Sequence, residues 1–199
     1  MKGCYHRRMR PRPVVRLLTA GLLLTLASAP SMPAAPAGSG AYQVEILIFR
    51  AATPPTGEDL GVAAEGRGFG RQSDPSVAPP EVLRTLEGTH MQLGGMASKL
   101  RASGAWTVLA HAAWVQTATD WPNHLGLTLE QLGIKAEGLS GTVYVEHGQY
   151  LHLGLDLKLG TDPPWSLSEL RKIRYNEKNY FDHPGFGVIA IVSPVRSVG

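Results

Sequence analysis

Cysteine is nearly missing from this chain: its 199 residues contain one, Cys4, ahead of the first apolar run. A single thiol excludes a disulfide framework and a cysteine-built metal site, so stability has to come from an ordinary hydrophobic core. Two catalytic signatures are absent as well, the Gly-x-Ser-x-Gly elbow and the His-Glu-x-x-His pair. Gly138-Leu139-Ser140-Gly141 is only a partial elbow, placed where a hairpin strand begins. His111, His147, His152 and His183 are scattered, without the short spacings of metal ligands. Asp182-His183 suggests an acid/base pair, but a turn-initiating Asp and a pre-proline His account for it more simply. The expectation is a protein that is not an enzyme and holds no cofactor or metal.

A spanning apolar run is missing too. The run over residues 17–29 falls short of the ~20 residues that a membrane-crossing helix needs. It follows Arg7, Arg8, Arg10, Arg12 and Arg16 and leads into small residues, which is the order of a signal peptide. Pro30 disfavours cleavage after Ala27-Ser28-Ala29, so Ala35-Pro36-Ala37, with Gly38 next, is the preferred zone. Residues 1–37 are therefore expected to be a signal peptide, and residues 38–199 a periplasmic domain with no membrane span. Cys4 lies before the apolar run and cannot carry a lipoprotein's lipid. Cleavage removes six of the 19 Lys and Arg but none of the 16 Asp and Glu, which turns the net charge from +3 to −3. The basic balance belongs to the export signal and implies no nucleic-acid partner.

Residues 42–49 (YQVEILIF) open the domain as a strand rich in β-formers. Val44, Ile46 and Ile48 share one face, while Leu47 and Phe49 make the other apolar, which predicts a central strand buried on both sides. Residues 53–80 turn to Pro, Gly, Ser and charge with no apolar period, and read as a long mobile loop. Over residues 81–103, Leu83, Leu86, Leu93, Met96, Ala97 and Leu100 fall on helical spacings. Gly88, Gly94 and Gly95 predict a break or two short helices, and Gly104 a C-terminal cap. Residues 106–116 (WTVLAHAAWVQ) read as a second strand, with a short helical turn expected near residues 129–132.

The last third carries the strongest pattern. Leu151, Leu153, Leu155, Leu157 and Leu159 alternate with Tyr150, His152, Gly154, Asp156 and Lys158, the period of a half-buried strand. Val143 and Val145 precede it on a hairpin partner. A three-residue loop at residues 147–149 sets apolar residues opposite apolar ones and pairs Val145 with Leu151, so that register is expected. Residues 167–178 permit a capping box (Ser166, Glu169) or a strand, and the hairpin-like sequel favours the strand. A turn follows at Asp182-His183-Pro184-Gly185, read as type II with positive φ at Gly185. Together these elements predict a single α+β domain: a mostly antiparallel curved β-sheet with one or two helices packed on one face.

The predicted register places Tyr144 opposite His152 and Glu146 opposite Tyr150, on a face that stacks against sugar rings and hydrogen-bonds their hydroxyls. Arg171, Lys172, Arg174 and Lys178 follow as cations for the carboxylates of a stem peptide. The candidate ligand-binding residues are thus Tyr144, Tyr150, His152, Arg171, Lys172 and Arg174. The alternative for the same residues is a solvated sheet face with ordinary cross-strand pairs.

Four segments carry a resemblance: YQVEILIFR at residues 42–50, the helix into WTVLAHAAW ending at Trp114, GTVYVEHGQYLHLGLDLKL at residues 141–159, and LRKIRYNEKNYFDHPGFGVIAIVSP at residues 170–194. The order of leucine-alternating strand, basic strand, FDHP, glycine and apolar strand resembles the CsiV family of periplasmic peptidoglycan-binding proteins. The resemblance implies an exported, non-enzymatic protein that binds peptidoglycan and promotes cell-wall assembly and cell shape. Its implied partners are a class A penicillin-binding protein and that enzyme's outer-membrane lipoprotein activator. It brings no ligand motif that names site residues. The alternative expectation is a protein-only adaptor of the cell-wall synthesis machinery, without direct glycan contact.

Overall fold

The computed structural model describes residues 40–53, 76–160 and 164–195. The expected signal peptide and most of the expected loop at residues 53–80 lie outside the described residues. The described residues form an α+β domain of two sheets and one α-helix. Its elements are β1 (Ala41–Ala51), β2 (Val82–Leu86), α1 (Gly94–Ser103), β3 (Trp106–Thr117), β4 (Thr119–Asp120), β5 (Leu127–Thr128), β6 (Leu139–His147), β7 (Leu151–Leu159), β8 (Trp165–Ile173), β9 (Asn179–His183) and β10 (Phe186–Pro194). The first sheet has the order β2-β3-β1-β10-β9, antiparallel throughout. The second runs β4-β6-β7-β8, with β5 also pairing β6 and with β4 parallel to it.

Alternation along β1 explains the layering. Val44, Ile46 and Ile48 join Val188, Ala190 and Val192 of β10 and Phe181 of β9 in one core, facing Val143, Val145 and the five odd-numbered leucines of β7. Leu47 and Phe49, on the other face of β1, pack with Ile191 against Leu93 and Ala97 at the start of α1. The first sheet is therefore covered on both faces, as the two-sided apolar pattern of β1 predicts. Each leucine of β7 is at most 4% exposed, and full burial of such a side chain contributes about 1.5–3 kcal/mol.

The strand preference at residues 167–178 is met by β8 over residues 167–173, while residues 174–178 leave the strand and turn; Gly104 caps α1 in the left-handed region at φ 65°. The turn near Leu129 is present and has a capping box: Gln131 Oε1 accepts from Thr128 N at 2.8 Å, and Thr128 Oγ1 accepts from Gln131 N at 3.2 Å.

Three expectations are corrected. Residues 82–86 form an edge strand on β3, not a helix; Leu83 points to solvent (51% exposed), so the leucine spacing there does not mark a buried stripe. In the β6–β7 hairpin the three-residue loop is Gly148 to Tyr150, one position later than expected, and His147 pairs with Leu151. The leucine face still meets the valines, but partners move by two: Val145 faces Leu153, Tyr144 faces Gly154 and Glu146 faces His152. Burial on one face excludes a slip of one residue and permits a slip of two. Finally, β9 and β10 do join at Pro184-Gly185, yet Gly185 is not in the positive-φ region. Glycine is needed there because a Cβ would collide with the Trp165 ring. β8 and β9 belong to different sheets, and the crossing between them turns at Asn176, whose φ is 61°.

Candidate functional site

The second sheet turns its even-numbered residues away from the core, and the segment after β4 folds back over that outer face. Trp121 and Pro122, joined by a cis peptide bond, begin this cover. The Trp121 ring stacks on His152 of β7 at 3.9 Å between centroids and 18° between planes, and meets His124 edge-on at 5.4 Å. Trp121 remains 41% exposed, so part of the indole is open to solvent.

Beneath the cover lies Glu146, on β6 beside His152 and fully buried. Its Oε1 accepts a short hydrogen bond from the backbone N–H of His124, and Oε2 lies 3.2 Å from His124 Nδ1. Burial pushes the Glu146 carboxyl above its usual range, and the hydrogen bonds and charge of His124 pull the other way. His152 is shifted down, chiefly by burial and further by the neighbouring charges of Lys172 and His147, against a backbone hydrogen bond at Tyr150. Its Nδ1 is buried. A neutral imidazole is the form that this surrounding favours.

Tyr150 sits at the tip of the hairpin and is 44% exposed. Lys172, opposite His152 in the β7–β8 register, places Nζ 3.0 Å from the Tyr150 ring centroid, a cation–π contact. Four of the six expected residues thus share one side of the sheet: Tyr144, Tyr150, His152 and Lys172. Arg171 does not. Its parity on β8 turns it inward with Leu167 and Ile173, where it lies over the Phe181 ring at 4.1 Å and donates to Tyr180 O at 2.9 Å and to Glu169. It ties the edge of one sheet to the other. Arg174 lies past the end of β8, 82% exposed, with Glu177 at 3.6 Å.

Sequence reasoning missed Trp121 and His124, and it placed Glu146 on the surface. A tryptophan beside a proline within a polar stretch was the available signal; its seat on His152 exists only once the loop folds back. Among the described residues no group of three or more His, Cys, Asp or Glu is placed to hold a metal ion. Nor is any described helix long and apolar enough to cross a membrane. No family model, curated protein or solved structure matches this chain.

Proposed function

We propose that this chain is a periplasmic, non-enzymatic peptidoglycan-binding protein of the CsiV kind, acting in cell-wall assembly and cell shape through a class A penicillin-binding protein and its lipoprotein activator. The family and the partners rest on the sequence resemblance, and the compartment on the signal-peptide pattern of residues 1–37. The binding role is supported by one observation: two exposed aromatic rings, Trp121 and Tyr150, stand beside the His152 imidazole and the Lys172 ammonium on one face. Flat rings suit the apolar faces of sugars, and a cation at their border suits a stem-peptide carboxylate.

Sacculus pulldown across a salt series tests this. Trp121→Ala is expected to weaken retention with little change in salt dependence, because stacking is not screened. Lys172→Ala is expected to weaken it modestly and to flatten the salt dependence, since an exposed ion pair contributes ~0–1 kcal/mol. Wild-type protein that ignores sacculi while still capturing the synthase or its activator would establish the adaptor role instead.

A further inference from the structure

The outer face of the second sheet holds a pocket that the binding role above does not use. It is half open, has a volume of roughly 640 Å³, and is walled by Leu125, Thr128 and Gln131 on one side and by Thr142 and Tyr144 of β6 on the other. His124 connects it to the aromatic platform, lining the pocket while meeting Trp121 edge-on. The volume falls within the about 300–1,000 Å³ that encloses small ligands.

Its chemistry is selective in what it omits. Among the described residues, no Asp, Glu, Lys or Arg lines it. A charged group entering it would lose hydration and meet no Asp, Glu, Lys or Arg side chain there, while the His124 imidazole already faces Glu146. What remains is hydroxyls, a phenol ring, the His124 imidazole, the apolar side chains of Leu125 and Pro79, and a carboxamide. The Gln131 amide is already oriented, since its Oε1 accepts from Thr128 N, which leaves its NH₂ to donate. Lys172 lies two strands away on β8, roughly 10 Å across the sheet. Neutral and cationic features are therefore separated along one surface.

On the peptidoglycan-binding reading, on which this inference rests, we infer that the pocket is the subsite for the neutral, N-acetylated, peptide-free sugar of the glycan strand. The Gln131 NH₂ donates to the acetamido carbonyl, the hydroxyls of Thr128 and Thr142 meet ring hydroxyls, and Leu125 meets the acetyl methyl. The adjoining peptide-bearing sugar lies on Trp121, with its carboxylates toward Lys172.

The test is titration of the protein, as isolated from cells, with chitotriose, read by chemical-shift changes and compared with cellotriose, which lacks the acetamido groups. Wild type is expected to bind chitotriose and to bind cellotriose at least tenfold more weakly. Thr142→Phe, which fills the pocket, is expected to lower chitotriose affinity at least tenfold. Gln131→Glu keeps the oxygen that caps Thr128 but loses the donor, and is expected to cost about three- to tenfold, the equivalent of one hydrogen bond. If Thr142→Phe fails to fold, Gln131→Glu decides. Sacculus retention without chitotriose binding by the wild type overturns the subsite and leaves the function standing. Loss of both overturns both. Equal binding of the two trisaccharides, or unchanged chitotriose affinity in folded Thr142→Phe, overturns the subsite as well.

Discussion

Two buried glutamates hold two covers onto this fold, and they do it differently. Glu45, on β1, is 1% exposed and accepts from Gln92 N at 2.6 Å and Leu93 N at 2.7 Å, with His111 Nε2 at 2.7 Å. It thus serves the N-terminus of α1, whose own N-cap residue, Leu93, has no side-chain oxygen to offer. Glu146 uses the same ingredients, a backbone N–H and an imidazole, but both come from His124 alone. The helix is also pinned by Leu93, Ala97 and their apolar partners, whereas the cover over Glu146 adds mainly the Trp121–His152 stack. A structural cover is over-determined by packing. The cover at the candidate site relies on polar contacts that a ligand can compete for.

The contrast is sharpest at the glutamates themselves. Glu45→Ala is expected to destabilise by about 3–5 kcal/mol, because it breaks the buried contact with His111 and orphans the N–H groups of Gln92 and the N-cap Leu93 together. Urea titration of this variant against wild type is the check, and a loss below 1 kcal/mol would contradict the clamp. Glu146→Ala is expected to cost less, about 1–3 kcal/mol, since His124 is freed beside solvent.

The same group gives a pH signature. A carboxyl with a raised folded-state pKa binds more protons folded than unfolded. Its stabilising contribution is full below the unfolded value of 4.5 and is lost as pH rises through the higher folded value. Wild type is therefore expected to lose stability relative to Glu146→Gln as pH rises from 4.5 toward neutrality, measured by melting temperature in paired buffers. Parallel curves would mean that Glu146 is not held above its usual range.

Trp121→Ala removes an aromatic pair worth about 0.5–1.5 kcal/mol. It is expected to lower stability by that order while reducing sacculus retention disproportionately, which separates a binding ring from a packing one. Arg174→Ala is expected to have the smallest effect, about 0–1 kcal/mol in a double-mutant cycle with Glu177, because the pair is exposed. Arg171, one residue before Lys172, serves as the inward counterpart: its substitution should register in stability first.

How legible the molecule was depends on whether the signal lay within one element. The two-faced burial of β1, the leucine face of β7, the Gly104 cap and the Pro184-Gly185 hairpin are local patterns, and each was readable. Val82–Leu86 was not, because an edge strand needs no apolar stripe; it forms where β3 offers free hydrogen-bonding groups. At the site, His152, Tyr150 and Lys172 were legible from alternation. Arg171 could have been excluded by the same alternation, since neighbours on a strand face opposite ways. Trp121, His124 and the burial of Glu146 were hidden, because they arise from a loop closing over a face.

By itself the amino-acid order determined which residues alternate, hence which face of each strand is apolar and that the domain is α+β. Such periodicity follows from the backbone geometry of a single strand. The tertiary structure decided which strands share a sheet, the two-residue shift of the β6–β7 hairpin, and the seating of Trp121 over His152. Those outcomes depend on packing between segments far apart in the chain, and a pattern that repeats every two residues is blind to a slip of two.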